Sequence, residues 1–338
     1  MLYYDYVLLT NIPAFYKVRL WNEINKHKKV LMVFNASNES TRNADFISAK
    51  CGFDTITMNG NLFHRAFSIL KLLRRTKYDK LFYSGWNDLA NLIVANLMPK
   101  NRNAIIVEST IFEHKQKVVK DFLKRLILRR VSYAYTPGTP HEQLLRRLGF
   151  KKQVIQTGGC GLLNYIQQPA YQKKKEVKNF IFVGRLVPVK NLHLLVQVFN
   201  RLPELNLTIV GFGELETELK KEANNNICFV GGIDNALLPE VYQRHDVFLL
   251  CSYSETWGLV VEEALNNGLP VIVSDRVGCR MDLVSEENGL VFQHDSIDSL
   301  IDCIKKMTYI NYYNQLSENV SRMNFKKRAE TQINSYIS

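Results

Sequence analysis

Two segments of the chain hold residues whose types and spacing suit the binding of a diphosphate. In Phe182-Val183-Gly184-Arg185-Leu186-Val187-Pro188-Val189-Lys190 an apolar run ends at Gly184 and a helical pattern begins after Lys190, so an arginine and a lysine flank one strand-to-helix loop. A guanidinium fork and an ammonium point charge at the end of a strand can hold phosphate oxygens, although a solvated turn has the same composition. The second segment, Asp246 to Leu265, runs strand, loop and helix, with Gly258 where the helix begins. The amides of Gly258, Leu259 and Val260 would then stand unpaired at the positive end of a helix dipole, a second anion site. Glu255 and Glu263 are eight residues apart, roughly 12 Å along a continuous helix. That is too far for one carboxylate pair and suits two acceptors on one extended ligand, such as hydroxyls on a sugar and on a ribose. Glu262 reads instead as a helix-start or surface carboxylate.

These loops need strands behind them and helices ahead. Strand-like runs alternate with helical patterns throughout: Tyr6–Leu9, Val30–Phe34, Lys80–Tyr83, Ala104–Val107 and Tyr133–Thr136, then Asn179–Val183, Leu207–Val210, Ile227–Val230, Val247–Cys251 and Pro270–Ser274. Such alternation predicts α/β architecture with parallel sheets. The expected organisation is two Rossmann-like, doubly wound domains facing a cleft, residues 1–166 and residues 167–310, with a helical segment at 311–338 packing back on the first. The stretch Gln167 to Lys178, poor in apolar residues and containing Pro169, reads as a hinge. A helix is also expected at Asp45–Lys50.

The order of motifs is specific: Gly184-Arg185-x4-Lys190, Ile-Val-Gly-x-Gly from Ile209 to Gly213, Val230-Gly231, the Glu255-x7-Glu263 pair, Gly-Leu-Pro-Val-Ile-x-Ser from Gly268 to Ser274, and Asn288 to Phe292. Together they resemble the retaining nucleotide-sugar glycosyltransferases of the GT-B fold, the group 1 or family 4 class, over about residues 179–292. The resemblance implies that Arg185 and Lys190 bind the donor diphosphate, that Glu263 takes the ribose hydroxyls, and that Glu255 lies beside the donor sugar. Glu255, Arg185 and Lys190 would carry catalysis, with the Gly258, Leu259 and Val260 amides between sugar and phosphates. Gly184, Gly211, Gly213, Val230 and Gly231 would line the donor pocket, where missing side chains let the ligand approach the backbone. The implied reaction is retaining, metal-independent transfer of a hexose-type sugar from a nucleotide diphosphate sugar, UDP-linked by family frequency, to a glycan or lipid-linked acceptor in surface polysaccharide assembly. No cofactor beyond the donor substrate and no metal is implied, and no Asp-x-Asp occurs.

The chain departs from the family pattern at Asn191, where a glycine usually stands, at Cys251, where a proline does, and at Asn11-Ile12-Pro13-Ala14-Phe15, which replaces a glycine-rich loop. Many members end an N-terminal strand with a histidine. The comparable strand here ends Val107-Glu108-Ser109, so Glu108 or His114 is the expected substitute on the acceptor side.

Charge separates the two halves. Of 338 residues, the first 165 hold 26 Lys/Arg and 11 Asp/Glu, and the remainder 18 and 21. The basic half predicts an anionic partner. Its segment Lys117 to Arg130 places Val118, Val119, Phe122, Leu123 and Leu126 on one helical face among cations; Lys71, Arg74, Arg75 and Lys77 form a second cluster. An anionic membrane surface fits such a helix, and an ordinary core-facing helix is the competing reading. No apolar run reaches the roughly 18 residues of a membrane span, and the start lacks the pattern of a signal peptide. The expected location is cytoplasmic, with peripheral attachment to the inner face of the membrane. Two other functions compete. A sugar-nucleotide epimerase would yield an isomeric sugar nucleotide without an acceptor. A nucleic-acid binder would explain the basic half, but no recognition motif is present.

Overall fold

The computed structural model describes residues 2–11, 13–35, 49–86, 88–113, 118–163 and 165–338. The chain divides into two compact units: Met1–Leu163 with Lys327–Ser338, and Asn164–Lys326.

The first unit runs β1 (Leu2–Thr10), α1 (Phe15–Asn25), β2 (Val30–Asn35), β3 (Asp54–Met58), α2 (Leu62–Arg75), β4 (Thr76–Ser84), α3 (Leu89–Leu97), β5 (Asn103–Ile106), α4 (Val118–Arg129), β6 (Tyr133–Thr136), α5 (Thr139–Arg147) and β7 (Gln153–Gln156). The strands form one parallel sheet in the order β3-β2-β1-β4-β5-β6-β7. Val7, Leu9, Leu81 and Ile105 join Ala66, Ile69, Val94, Ile127 and Leu144 in one core, so α2 to α5 cover the same face. On the other face Trp21 of α1 meets Tyr6 and Phe82 edge-on.

The second unit continues with β8 (Asn179–Val183), α6 (Leu192–Asn200), β9 (Asn206–Val210), α7 (Glu216–Glu222), β10 (Ile227–Gly231), α8 (Leu238–Gln243), β11 (Val247–Leu250), α9 (Leu259–Asn266), β12 (Val271–Ser274), α10 (Arg280–Leu283), β13 (Gly289–Phe292), α11 (Ile297–Thr308) and α12 (Ile310–Ser321), and the last helix, α13 (Phe325–Ile337), passes from the second unit into the first. Its parallel sheet has the order β10-β9-β8-β11-β12-β13. Val247 to Leu250 and Val271 to Val273 are buried without alternation, as strands covered on both faces must be.

Both units are therefore α/β with parallel sheets, as the alternating pattern predicts. Three strands escape that pattern: β3, β7 and β13. All are edge strands; β3 and β7 are partly buried and lack a continuous apolar run, while the Leu-Val-Phe of β13 forms no strand-length apolar stretch and stands out only as part of the motif Asn288 to Phe292. The helix expected at Asp45–Lys50 falls largely outside the described residues. Lys77 belongs to β4, whereas Lys71, Arg74 and Arg75 sit on α2, so that basic cluster divides between two elements.

The segment read as a hinge is fastened to the second unit. Gln168 donates to the carbonyls of Leu265 at 3.1 Å and Val320 at 2.9 Å. Lys174 exchanges hydrogen bonds with Asn314 and pairs with the buried Asp246, whose other carboxylate oxygen accepts from the amides of Lys178 and Asn179. The helical segment from residue 311 divides later than expected: α12 stays with the second unit, and Lys327–Ser338 joins the first. There Tyr336 is buried, stacks on Tyr135 at 4.8 Å and accepts the Tyr6 hydroxyl on its carbonyl at 2.7 Å.

Candidate active site

In an open parallel sheet the strand order reverses at one point, and the loops there leave on opposite faces and open a crevice at the carboxyl ends. In the second unit this point lies between β8 and β11, whose neighbours are β9 and β12. The loops that leave these two strands are the two chemistry-bearing segments of the sequence. They are joined directly: the Tyr253 amide donates to the Val189 carbonyl at 2.9 Å, and Lys190 forms an ion pair with Glu255.

The β8 loop turns through one 3-10 turn, Pro188–Lys190, into Asn191, which has φ 55° and ψ 42°. Asn191 is the one non-glycine residue with positive φ among the described residues. This explains its replacement of glycine: asparagine is the other residue that visits the left-handed region readily. Its buried side chain also donates to the His294 carbonyl at 2.9 Å, a bond that glycine could not make. The turn holds the Lys190 ammonium inward, with its side chain 14% exposed beside that of Glu255 at 17%. Arg185 is exposed and has no ion-pair partner among the described residues.

The β11 loop is braced from behind by the chain that follows β12. Glu255 accepts on its carbonyl from the Gly278 amide at 2.9 Å and donates its amide to the Arg276 carbonyl at 3.2 Å. The Trp257 carbonyl accepts from Cys279 at 2.9 Å. Gly258, at φ 98°, then turns the backbone into α9. Among the described residues no acceptor takes the amides of Gly258, Leu259 and Val260, as expected for the first turn of a helix without a side-chain cap. One turn on, Glu263 is partly exposed and accepts from the buried Tyr242 hydroxyl at 3.2 Å. Burial first, and then the Glu263 charge, push the Tyr242 hydroxyl well above its ordinary pKa, so it donates.

Two of the glycines are required by the chain's own packing. A Cβ on Gly211 would collide with the Gly184 carbonyl, and one on Gly213 with that of Leu186. Their missing side chains therefore admit the chain's own β8 loop. Gly231, at φ 73°, has open space where its Cβ would be, and Val230 beside it is exposed, at the end of edge strand β10. Phe212 is 41% exposed near the same edge and was not expected.

Glu262 corrects the reading as a surface carboxylate. It is 2% exposed and accepts from Trp257 Nε1 at 2.6 Å and from the Tyr165 hydroxyl at 3.1 Å. It thereby pins the loop that presents Glu255. A signal existed in the sequence, since Trp257 five residues earlier carries an N–H that needs an acceptor when buried. His294 and Arg276 carried no such signal. They meet at 3.4 Å, and His294 also bonds Asp275 at 2.8 Å.

Of the acceptor-side candidates, Glu108 lies in the first unit, paired with Lys17 at 2.9 Å. Burial is the largest single influence and lowers the Lys17 pKa, but the Glu108 charge and hydrogen bond, with smaller contributions from Tyr16 and Cys160, together outweigh it and the ammonium is held above its ordinary range. His114 lies outside the described residues.

Residues 166–329 match the family model described as glycosyl transferases group 1. The chain is 35% identical over 132 residues to a sulfoquinovosyl transferase of Arabidopsis thaliana, covering 38% of this chain and 25% of that protein. It is 35% identical over 153 residues to the O-antigen biosynthesis glycosyltransferase WbnH of Escherichia coli, covering 44% of each. A third relative, 30% identical over 175 residues and covering 47% of this chain and 45% of its own length, is an Escherichia coli UDP-Gal:alpha-D-GlcNAc-diphosphoundecaprenol alpha-1,3-galactosyltransferase. The chain thus spans less than half the length of these curated relatives. Among solved structures, the sucrose-phosphate synthase of Thermosynechococcus elongatus superposes with TM-score 0.77 at 18% identity over 98% of both chains. The lipopolysaccharide outer core galactosyltransferase WaaB superposes with TM-score 0.72 at 16% identity, also over 98% of both. Anabaena HepE, solved with UDP, gives TM-score 0.70 at 14% identity over 96% of this chain and 97% of its own. With its two parallel α/β sheets, the chain has the GT-B fold, and its residues 166–329 match the group 1 glycosyl transferases.

Proposed function

We propose that the protein is a retaining, metal-independent hexosyltransferase that moves a sugar from a nucleotide diphosphate sugar, UDP-linked, to a glycan or lipid-linked acceptor in surface polysaccharide assembly. The observation that carries this reading is the Lys190–Glu255 pair at the switch point, between the free guanidinium of Arg185 and the open start of α9.

A diphosphate seated there meets Arg185, Lys190 and the α9 amides. All are fixed before the reaction, so they stabilise the charge that builds on the leaving diphosphate without reorganising. Lys190 balances Glu255 in the unliganded protein, which lets a carboxylate stand near the donor sugar without repelling the phosphates. In the transfer step the bond from the anomeric carbon to the diphosphate oxygen breaks as the acceptor oxygen bonds to that carbon on the same face. The acceptor's proton goes to the departing diphosphate oxygen, so no protein base is required. Glu263 and the edge near Val230 and Phe212 take the ribose and base. The UDP assignment is supported by the UDP-sugar named for the galactosyltransferase relative and by the UDP held in HepE, and the lipid-linked acceptor by that relative's name.

The test is a screen of nucleotide sugars with lipid-linked and free glycan acceptors, in which transfer with retained anomeric configuration is expected. Glu255→Gln should lower transfer on the order of 10²–10³-fold with unfolding unchanged. A variant that transfers at the parent rate, or an isomeric sugar nucleotide formed without acceptor, would overturn the reading.

A further inference from the structure

Helix α4 is inside out. Val118, Val119, Phe122, Leu123 and Leu126 are 36–87% exposed, while Ile127 and Leu128 are its buried residues. At 3.6 residues per turn the five exposed apolar residues share about 140° of arc, and the two buried ones point to the other side. The helix therefore packs through a narrow strip and turns its wide apolar face outward. The core-facing reading of this helix fails on that geometry.

The patch extends beyond α4. On α2, Phe63 is 77% exposed and Phe67 is 65% exposed, one turn apart. Helices α2, α3 and α4 lie side by side on one face of the first sheet, and Arg65 ties the start of α2 to Asp88 at the start of α3 at 3.1 Å. Each of these helices follows a strand and leads back to a parallel one, so each starts at the carboxyl ends of the strands. Phe63, Phe67, Val118, Val119 and Phe122 thus gather at the end of the sheet where ligands of such folds bind.

Charge selects the occupant. Helix α2 carries four Arg/Lys and no acid, α4 carries four and one acid, and α3 carries none of either. A second copy would set one basic face against another, which is repulsive. An anionic bilayer satisfies both components, with apolar side chains entering the interface and cations meeting the head groups. We infer that the outer faces of α2 and α4 are a docking surface for an anionic lipid bilayer, placed so that the first unit meets a lipid-linked acceptor at the membrane. The acceptor clause rests on the proposed function; the docking surface does not.

Flotation of the full-length chain with vesicles tests this. Equimolar phosphatidylglycerol and phosphatidylcholine should carry the protein at low salt and less of it at high salt, and phosphatidylcholine alone should carry little. Val119→Glu with Phe122→Glu should weaken binding on the order of tenfold or more, and Lys120→Glu with Arg125→Glu should weaken it and flatten its salt dependence. All four residues except Phe122 are surface side chains without a packing role, and Phe122 is itself 58% exposed, so both variants should fold. Equal flotation with neutral and anionic vesicles, no flotation at all, or a lipid-free dimer that the Glu variant splits would overturn the inference. UDP binding, followed by calorimetry without lipid, should be unchanged in both variants. Its failure in the parent would instead strike the donor assignment.

Discussion

Lys190 and Glu255 hold opposite charges against each other in a place that also has to receive a diphosphate. Removing the ammonium deprives the phosphates of a cation and leaves a mostly buried carboxylate facing them, so Lys190→Met should reduce kcat/KM on the order of 10²–10³-fold. Equal kcat/KM in parent and variant would remove Lys190 from the site. Asn191 makes a separable prediction. Asn191→Gly keeps the left-handed turn and loses the bond to His294, at an expected cost of about 1 kcal/mol. Asn191→Val keeps neither, and a β-branched residue in that region should cost about 1–2 kcal/mol more. Urea denaturation should rank parent, Gly and Val in that order; a valine variant as stable as the glycine one would show that the turn is not under backbone constraint. At this scale Arg185, Lys190, Glu255 and the Gly258 turn were legible, because charged residues and glycine at loop ends are local signals. The burial of Glu262 was legible only through the indole N–H of Trp257, because the meeting of Glu262 with Trp257 and Tyr165 is set by the turn into α9 and by the path of residues 165–178.

Elements were legible in proportion to their burial. The central strands β8, β9, β11 and β12 announce themselves as apolar runs, whereas the edges β3 and β7 expose half or more of their residues and look like loops. Helix α13 shows what element-level reasoning can test. Its Tyr336 fills the aromatic layer formed by Tyr6, Trp21, Phe82 and Tyr135, at least 201 residues away in sequence. Truncation of a buried aromatic leaves a cavity, so Tyr336→Ala should cost about 3–5 kcal/mol, while Tyr336→Phe keeps the stack and should stay near the parent. A thermal scan that finds the alanine variant as stable as the parent would mean that α13 is not part of the first unit's core.

At the scale of the whole molecule, His245 makes the second unit sensitive to acid. His245 is held between the Val241 carbonyl at 2.7 Å and the Thr208 hydroxyl at 2.8 Å. A carbonyl only accepts, so Nδ1 carries the proton and Nε2 takes the hydroxyl's. Burial is the largest influence and lowers the pKa from its ordinary 6.5, so the folded ring is neutral. The stabilisation is complete above 6.5 and is lost as pH falls from there through the lower folded value, because the unfolded ring binds the proton more readily. His245→Gln should flatten the fall in stability between about pH 7 and pH 5. Parallel stability curves for parent and variant would assign the acid sensitivity elsewhere. The excess positive charge is likewise a property of the whole first unit, and its segregation is what gives the exposed faces of α2 and α4 their sign.

The sequence by itself determined the α/β class, the restart of the alternation after about residue 178, the two loops that carry the cations and glutamates, and the basic character of the first half. These are all written in local order, as periodicity, turn residues and charge. Only the tertiary structure decided that the two loops leave adjacent strands, so that Lys190 meets Glu255 across 65 residues. It also decided that Gly211 and Gly213 serve the chain's own backbone, that Glu262 is buried, and that the apolar face of α4 looks outward. Strand order and helix orientation set each of these. They depend on which face of which neighbour has apolar area left to cover, a balance struck over the whole domain.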